Sequence, residues 1–212
     1  MKYLKTFLGS LCMMTAVSCG SGDNNVAGSC TDGCANSNAN AVIENIMARR
    51  SIRKYKPQTV SRDTMKVILE CGINAPNGQN KQSWEVRVVD NPEIMEFIKA
   101  AISEGRDMNV GSCFRGAPVM VFIARDPSYD FSAYDCGLLA ENMMLSATSL
   151  GVGSICLGSP IRFIAECPQK GLILDKLGFS EGYELCLCVG FGYPNEAPDA
   201  KPRDWSKVKF VD

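Results

Sequence analysis

Residues Ser132–Gly158 read SAYDCGLLAENMMLSATSLGVGSICLG. Ser132 to Leu150 is the longest helix candidate in the chain, and Gly151 is placed to close it in the left-handed conformation that ends many helices. Val152 to Leu157 then forms a short apolar strand, and Gly158 ends it. A long helix that feeds a buried strand belongs in a sheet covered by helices, and the flanking sequence supports that reading on both sides.

Toward the N-terminus, Asn40 is a candidate cap for a helix running to about Arg50. Ser61 caps a second, to Cys71, with Met65, Ile68, Leu69 and Gly72 at helical spacing. Trp84 to Asp90 alternates Trp, Val, Val against Glu, Arg, Val, the pattern of a half-buried strand. Asn91-Pro92 opens a third helix with proline in its first turn and Ile94, Phe97, Ile98 and Ala101 as its apolar stripe. Val119 to Ala124 is a continuous apolar run after Pro118, which fits a central strand. Beyond the opening stretch, residues 160–178 are helical in pieces, broken at Pro168 and Gly171. Glu184 to Tyr193 is a strand, and Pro194 begins a polar tail. Strands and helices do not alternate strictly. The order predicts an α+β domain with one central sheet, and no internal repeat is visible.

The 212 residues carry a formal net charge of -1 and are 46% hydrophobic, enough for a packed core. That balance speaks against a nucleic-acid partner, which needs a basic surface. Histidine is absent. Ser-His-Asp and Cys-His catalysis are therefore excluded within this chain, as are imidazole-built zinc sites. Neither a catalytic side chain nor a metal site is assigned; the chemistry has to come from other groups or a bound cofactor.

The first residues read as a targeting segment. Lys2 and Lys5 precede an apolar stretch from Phe7 to Val17, too short to span a bilayer. It ends at Ala16-Val17-Ser18-Cys19, which resembles a bacterial lipobox. Residues 1–18 are then a signal peptide, Cys19 is lipidated, and residues 19–40, rich in Ser, Gly, Asn and Ala, are a flexible tether. On this reading the protein is extracytoplasmic, touches the membrane through its lipid anchor only, and keeps residues 41–212 as its folded domain. An ordinary cleaved secretory peptide is the alternative.

Eleven cysteines are many for this length. Cys30 and Cys34, in the tether, are able to pair without disturbing a core. Cys71, Cys113, Cys136, Cys156, Cys167, Cys186 and Cys188 lie in apolar segments and read as small buried hydrophobes. Cys186 and Cys188 alternate onto one face of their strand. No C-x-x-C pair supports a thioredoxin-type site.

Four stretches are able to carry chemistry. Arg49-Arg50-Ser51-Ile52-Arg53 groups three guanidiniums and a hydroxyl, a set suited to phosphate oxygens; a solvated cluster at a helix end is the plainer reading. Ala75-Pro76-Asn77-Gly78-Gln79-Asn80-Lys81-Gln82-Ser83-Trp84 is a turn-rich loop whose amides match the donors and acceptors along a flat heterocycle, though a plain connection has the same composition. Leu150 to Gly158 points backbone N–H groups out of a buried strand. Gly190-Phe191-Gly192-Tyr193-Pro194 precedes Lys201-Pro202-Arg203, two late cations that an anion would attract.

In their order and spacing these motifs resemble the nitroreductase family. The resemblance rests on Arg-Arg-Ser-x-Arg at 49–53, Ala-Pro-x-x-x-Asn-x-Gln-x-Trp at 75–84, Phe114-Arg115-Gly116-Ala117-Pro118 before an apolar strand, Gly-Val-Gly-Ser-x-x-x-Gly at 151–158, and Gly-Tyr-Pro at 192–194 with a Lys/Arg tail. It covers residues 41–212. It implies an α+β homodimer with a central, mostly antiparallel sheet flanked by helices and FMN at the subunit interface. Arg49, Arg50, Ser51, Arg53, Lys201 and Arg203 are then expected to hold the phosphate and ribityl chain. Asn80 and Gln82 are expected at the isoalloxazine edge, Pro76, Asn77 and Gly78 to reach it from the partner subunit, and the backbone of Leu157 and Gly158 to face flavin N5. The implied activity is ping-pong hydride transfer from NAD(P)H to nitroaromatic, quinone or other flat acceptors, with the protein supplying position and electrostatics. Reduced nicotinamides are scarce outside the cytoplasm, so the donor stays open. Two alternatives stand beside this one: a non-catalytic flavin- or anion-binding surface lipoprotein, and a reductive dehalogenase-like member of the same family.

Overall fold

Four strands and six helices build the domain in a computed structural model that describes residues 37–106 and 110–212. The expected signal peptide, the lipidated Cys19 and the Cys30/Cys34 pair lie outside the described residues.

The order is α1 (Ser37–Ala48), α2 (Arg62–Ile73), β1 (Trp84–Val89), α3 (Pro92–Ser103), β2 (Val119–Arg125), α4 (Ser132–Ser149), β3 (Gly153–Leu157), α5 (Ser159–Glu166), α6 (Lys170–Leu177) and β4 (Glu184–Gly192). The start and stop signals are local. The Ser61 hydroxyl accepts from Thr64 N and opens α2. Asn91 caps α3 through Glu93 N, with Pro92 in the first turn. Gly151 takes φ +70° after α4, and Gly178 takes φ +64° after α6.

Several boundaries and faces differ from the sequence reading. Helix α1 starts at Ser37, not at Asn40, so residues 37–40 of the expected tether are helical. It stops at Ala48 because the chain next joins the sheet, where Ile52 N donates to Ser154 O at 2.9 Å. On α3 the buried residues are Met95, Ile98, Ala101 and Ile102, with Ile94 and Phe97 only partly covered. Ile98 and Ala101 are common to both stripes; methionine fills the remaining space from the neighbouring column. Gly171 lies inside α6 and does not break it, whereas Pro168 does stand in the gap after α5.

The sheet has strand order β1-β2-β4-β3 with every pair antiparallel. Ser51 adds a parallel bridge to Ser154 on the outer edge of β3. Val119 to Ala124 on β2 are all fully buried, as the apolar run requires of a central strand. Val121 and Ile123 pack with Met65 and Ile68 of α2 and Leu139, Ala140 and Met143 of α4. Met120 and Phe122 pack on the opposite side with Ile98 and Ile102 of α3, Ile164 of α5 and Ile173 of α6. Each such side chain contributes about 1.5–3 kcal/mol when fully buried, so the two apolar layers fix the sheet between helices.

One irregularity interrupts the β2–β4 ladder. Ile123 pairs with Leu187 and Ala124 with Leu185, leaving Cys186 without a cross-strand partner. The bulge switches the face of the residues before it. Cys186 therefore packs in the α2–α4 layer while Cys188 is buried in the other, and the expectation that they share a face is wrong. Among the described residues no helix is long and apolar enough to cross a membrane.

Candidate functional site

Residues of the 49–53 segment and of the tail around 199–203, about 150 positions apart in sequence, line one cavity. Its volume is about 140 Å³, and its wall includes Arg49, Arg50, Ser51, Arg53, Asp199, Lys201 and Arg203. The edge of β3 aligns the first group, through the Ser51–Ser154 bridge. The tail is led back by a bridge between Tyr55 and Pro194 and by Asn195 N donating to Lys54 O at 2.9 Å. Glu196 secures the crossing by accepting the backbone N–H groups of Arg53 and Lys54.

The cations differ in how far they are already engaged. Arg50 donates to Met47 O at 2.6 Å and Arg49 O at 2.9 Å, closing the carbonyl end of α1. Arg49 sits 3.6 Å from a carboxylate oxygen of Glu141 on α4. Arg53 reaches the Ser51 carbonyl at 3.1 Å, and Arg203 the Lys201 carbonyl at 3.0 Å; both side chains are exposed. The geometry thus leaves Arg53, Lys201 and Arg203 with donor capacity toward a shared space. Among the described residues the hydroxyl of Ser154, the buried strand residue that Ser51 bridges, finds no hydrogen-bond partner. Several cations and a serine beside the sheet edge fit a phosphorylated ligand.

The loop 76–83 is a second, separately held unit. Gly78–Asn80 is a turn of 3₁₀ helix, and Gln79, Asn80 and Gln82 take φ of 54°, 53° and 48°. Left-handed backbone is costly for glutamine and persists only where surroundings enforce it. Here Asp135, in the first turn of α4 and nearly inaccessible to solvent, accepts from Gly78 N at 3.0 Å and from the Ser83 hydroxyl at 3.2 Å. Asn77 Oδ1 accepts from Gln82 N at 3.0 Å. The Lys81 ammonium lies 4.2 Å from the centre of the Tyr129 ring, and that ring's hydroxyl occupies the space a side chain at position 78 would need. The Asn80 and Gln82 side chains are exposed.

Leu157 is buried at the end of β3, and exposed Gly158 opens into α5, with no atom within 4 Å of where its Cβ would be. Ser154 and Gly158 are four residues apart, roughly 13 Å along a strand. The edge of β3 therefore runs from the cation cluster to Gly158.

Loop 76–82 is absent from the cavity wall. It precedes β1, whose Trp84 faces Arg125 at one end of the sheet, whereas Ser51 joins the outer edge of β3 near its opposite end. The backbone places the two units at diagonal corners of the sheet. Pro76, Asn77, Gly78, Asn80 and Gln82 belong to one continuous loop, so all five go together wherever the loop goes.

Sequence reasoning missed three contributors: Asp135, Glu196 and Tyr55. Asp135 was legible only as an acid in a first helical turn. Tyr55 donates to Ile52 O at 2.7 Å, and burial, then the charge of Glu196, push its hydroxyl well above the ordinary tyrosine range, so it remains a donor. Among the described residues no cluster of acids and cysteines is arranged to hold a metal.

A profile of the nitroreductase family matches residues 46–193. An NADPH-flavin oxidoreductase of Vibrio harveyi is 28% identical over 180 residues, covering 77% of this chain and 70% of its own. A nitroreductase with bound FMN from Desulfitobacterium hafniense DCB-2 superposes with a TM-score of 0.73 at 31% identity, covering 81% of this chain and 98% of its own. A second nitroreductase with bound FMN, from Bacteroides fragilis NCTC 9343, gives 0.71 at 29% identity, with 81% and 98% covered.

Proposed function

The chain belongs to the nitroreductase family, and from that premise we propose that it is an FMN-dependent oxidoreductase that draws electrons from NAD(P)H and reduces flat acceptors such as nitroaromatics or quinones. The observation that carries this reading is the single cavity shared by Arg49, Arg50, Ser51, Arg53, Lys201 and Arg203. Bound there, FMN supplies two-electron redox chemistry in alternating half-reactions with donor and acceptor.

The chain's own residues bind and orient. Arg53, Lys201, Arg203 and the Ser51 hydroxyl hold the phosphate, with Arg49 kept in place by Glu141. The backbone around Leu157 and Gly158, at the far end of β3 from the cations, would face the ring system. No histidine is needed for any of these roles.

The second half of the site comes from another copy of the chain. Loop 76–82 lies diagonally opposite the cation cluster, so its amides meet the same ligand across a two-fold pair. An exposed apolar face on α1, formed by Val42, Ile43, Ile46 and Met47, supports such pairing. The purified protein should be yellow, release FMN on denaturation, and bleach when NADH or NADPH is added without oxygen. A colourless protein that gains no flavin absorbance from added FMN sinks the reading.

The lipid anchor is part of the same proposal and rests on the Ala16-Val17-Ser18-Cys19 sequence. Cys19→Ala should leave the protein unlipidated and in the aqueous phase of a detergent partition; continued membrane partition of that variant argues against it.

A further inference from the structure

We propose that Cys136 and Cys186 form a dithiol–disulfide redox centre joining α4 to β4. The bulge in β4 leaves Cys186 outside the strand pairing and turns it into the α2–α4 layer, where it packs against the cluster that holds Cys136. Cys136 is fully buried in that layer, its Sγ 3.8 Å from the carbonyl of Ala124. Ala124 faces Leu185, the residue next to the bulge. The two thiols are near enough for each to shift the other's ionisation, and Arg125 adds positive charge to both while Asp135 adds a negative one beside Cys136. A regular ladder would have carried Cys186 to the face of Cys188, away from any partner on α4.

The two sulfurs differ in the way an attacking and a resolving thiol must. Cys186 is half-buried, and the proton that the neighbouring Cys136 thiol can offer its thiolate, with help from Arg125 against burial, pulls its thiol down to about 7. Cys136 is pushed far above the ordinary thiol range by the same pairing and by burial. A low-molecular-weight disulfide is the oxidant. The Cys186 thiolate attacks one of its sulfurs, forming a mixed disulfide and expelling one thiolate. That thiolate takes the Cys136 proton. The new Cys136 thiolate then attacks Cys186 Sγ, forming the internal bond and expelling a second thiolate, which solvent protonates. Two electrons pass to the small disulfide, which leaves as two thiols. The internal bond fixes to β4 the helical turn that carries Asp135, and with it the anchor of loop 76–83.

The test uses the full chain, purified reduced and incubated with oxidised glutathione. Remaining thiols are alkylated after an acid quench, and the protein is digested with chymotrypsin, whose sites at Leu138 and Leu187 separate Cys136 from Cys156 and Cys186 from Cys188. The expected product is a cross-linked peptide joining Cys136 to Cys186 that dithiothreitol resolves, with both thiols lost together. Cys186→Ala should leave Cys136 alkylatable, and Cys71→Ala should form the bond as the parent does. A stable glutathione adduct on Cys186 with Cys136 still free overturns the proposal, as does a bond from Cys186 to Cys156. Should Cys186→Ala fail to fold, the peptide map of the parent chain decides alone.

Discussion

Asp135 and Gly78 are joined by a 3.0 Å hydrogen bond that crosses from the first turn of α4 to the loop ahead of β1, and the same carboxylate takes the Ser83 hydroxyl at 3.2 Å. Removing it strands a partly buried N–H and a buried hydroxyl. Asp135→Ala should lower stability by about 2 kcal/mol, the scale of leaving such groups unsatisfied. Asp135→Asn, which keeps one acceptor, should cost less. Urea unfolding of the two variants checks the ranking; equal stability of Asp135→Ala and the parent would count against the clamp.

Arg53→Ala should weaken FMN binding by roughly 1.5–3 kcal/mol, the range for hydrogen bonds to charged groups. Arg50→Ala should weaken it less, because the Arg50 guanidinium is occupied with the end of α1. Quenching of flavin fluorescence on titration with each apoprotein measures both. Unchanged affinity in Arg53→Ala contradicts the phosphate role.

Gly192→Ala tests how tightly the tail is seated. A Cβ there would lie 2.6 Å from Pro118 Cδ and 2.7 Å from Tyr55 Cδ1, and neither ring yields easily. Overpacking of this kind costs about 1–3 kcal/mol. Thermal unfolding should show the loss, and flavin retention should fall with it, because the Tyr55–Pro194 bridge leads the chain toward Lys201 and Arg203.

Alkylation of Cys186 should depend on pH differently from that of an ordinary thiol. Its thiolate is favoured in the folded state, so reactivity toward iodoacetamide should climb as pH rises through about 7 and then level off. An ordinary thiol climbs through about 8.5. Mass spectrometry of the modified peptide across pH 5–9 reads the midpoint directly, with Cys186→Ala as the blank; a midpoint in the ordinary range contradicts the pairing of Cys186 with Cys136.

Much of the architecture is written in short-range signals. Ser61, Asn91-Pro92, Gly151 and Gly178 act through hydrogen bonds and backbone preferences that span a few residues, and Val119 to Ala124 declares a doubly covered strand by composition alone. The bulge at Cys186 is different. It depends on how β2 and β4 meet, two strands about sixty residues apart, and nothing in Glu184 to Gly192 announces it. The site divides in the same way. The cations and amides are recognisable as residue types in order along the chain. The roles of Asp135, Glu196 and Tyr55 arise from contacts across the fold, where the acid or hydroxyl is ordinary and only its neighbour makes it matter.

The diagonal placement of loop 76–82 and the 49–53/201–203 cluster sets a rule for handling the protein. On the proposed pairing of two copies, occupancy of the pocket follows their dissociation equilibrium, so dilution alone should bleed cofactor from the holoprotein. Mixing differently tagged subunits would then report exchange and flavin escape on one clock.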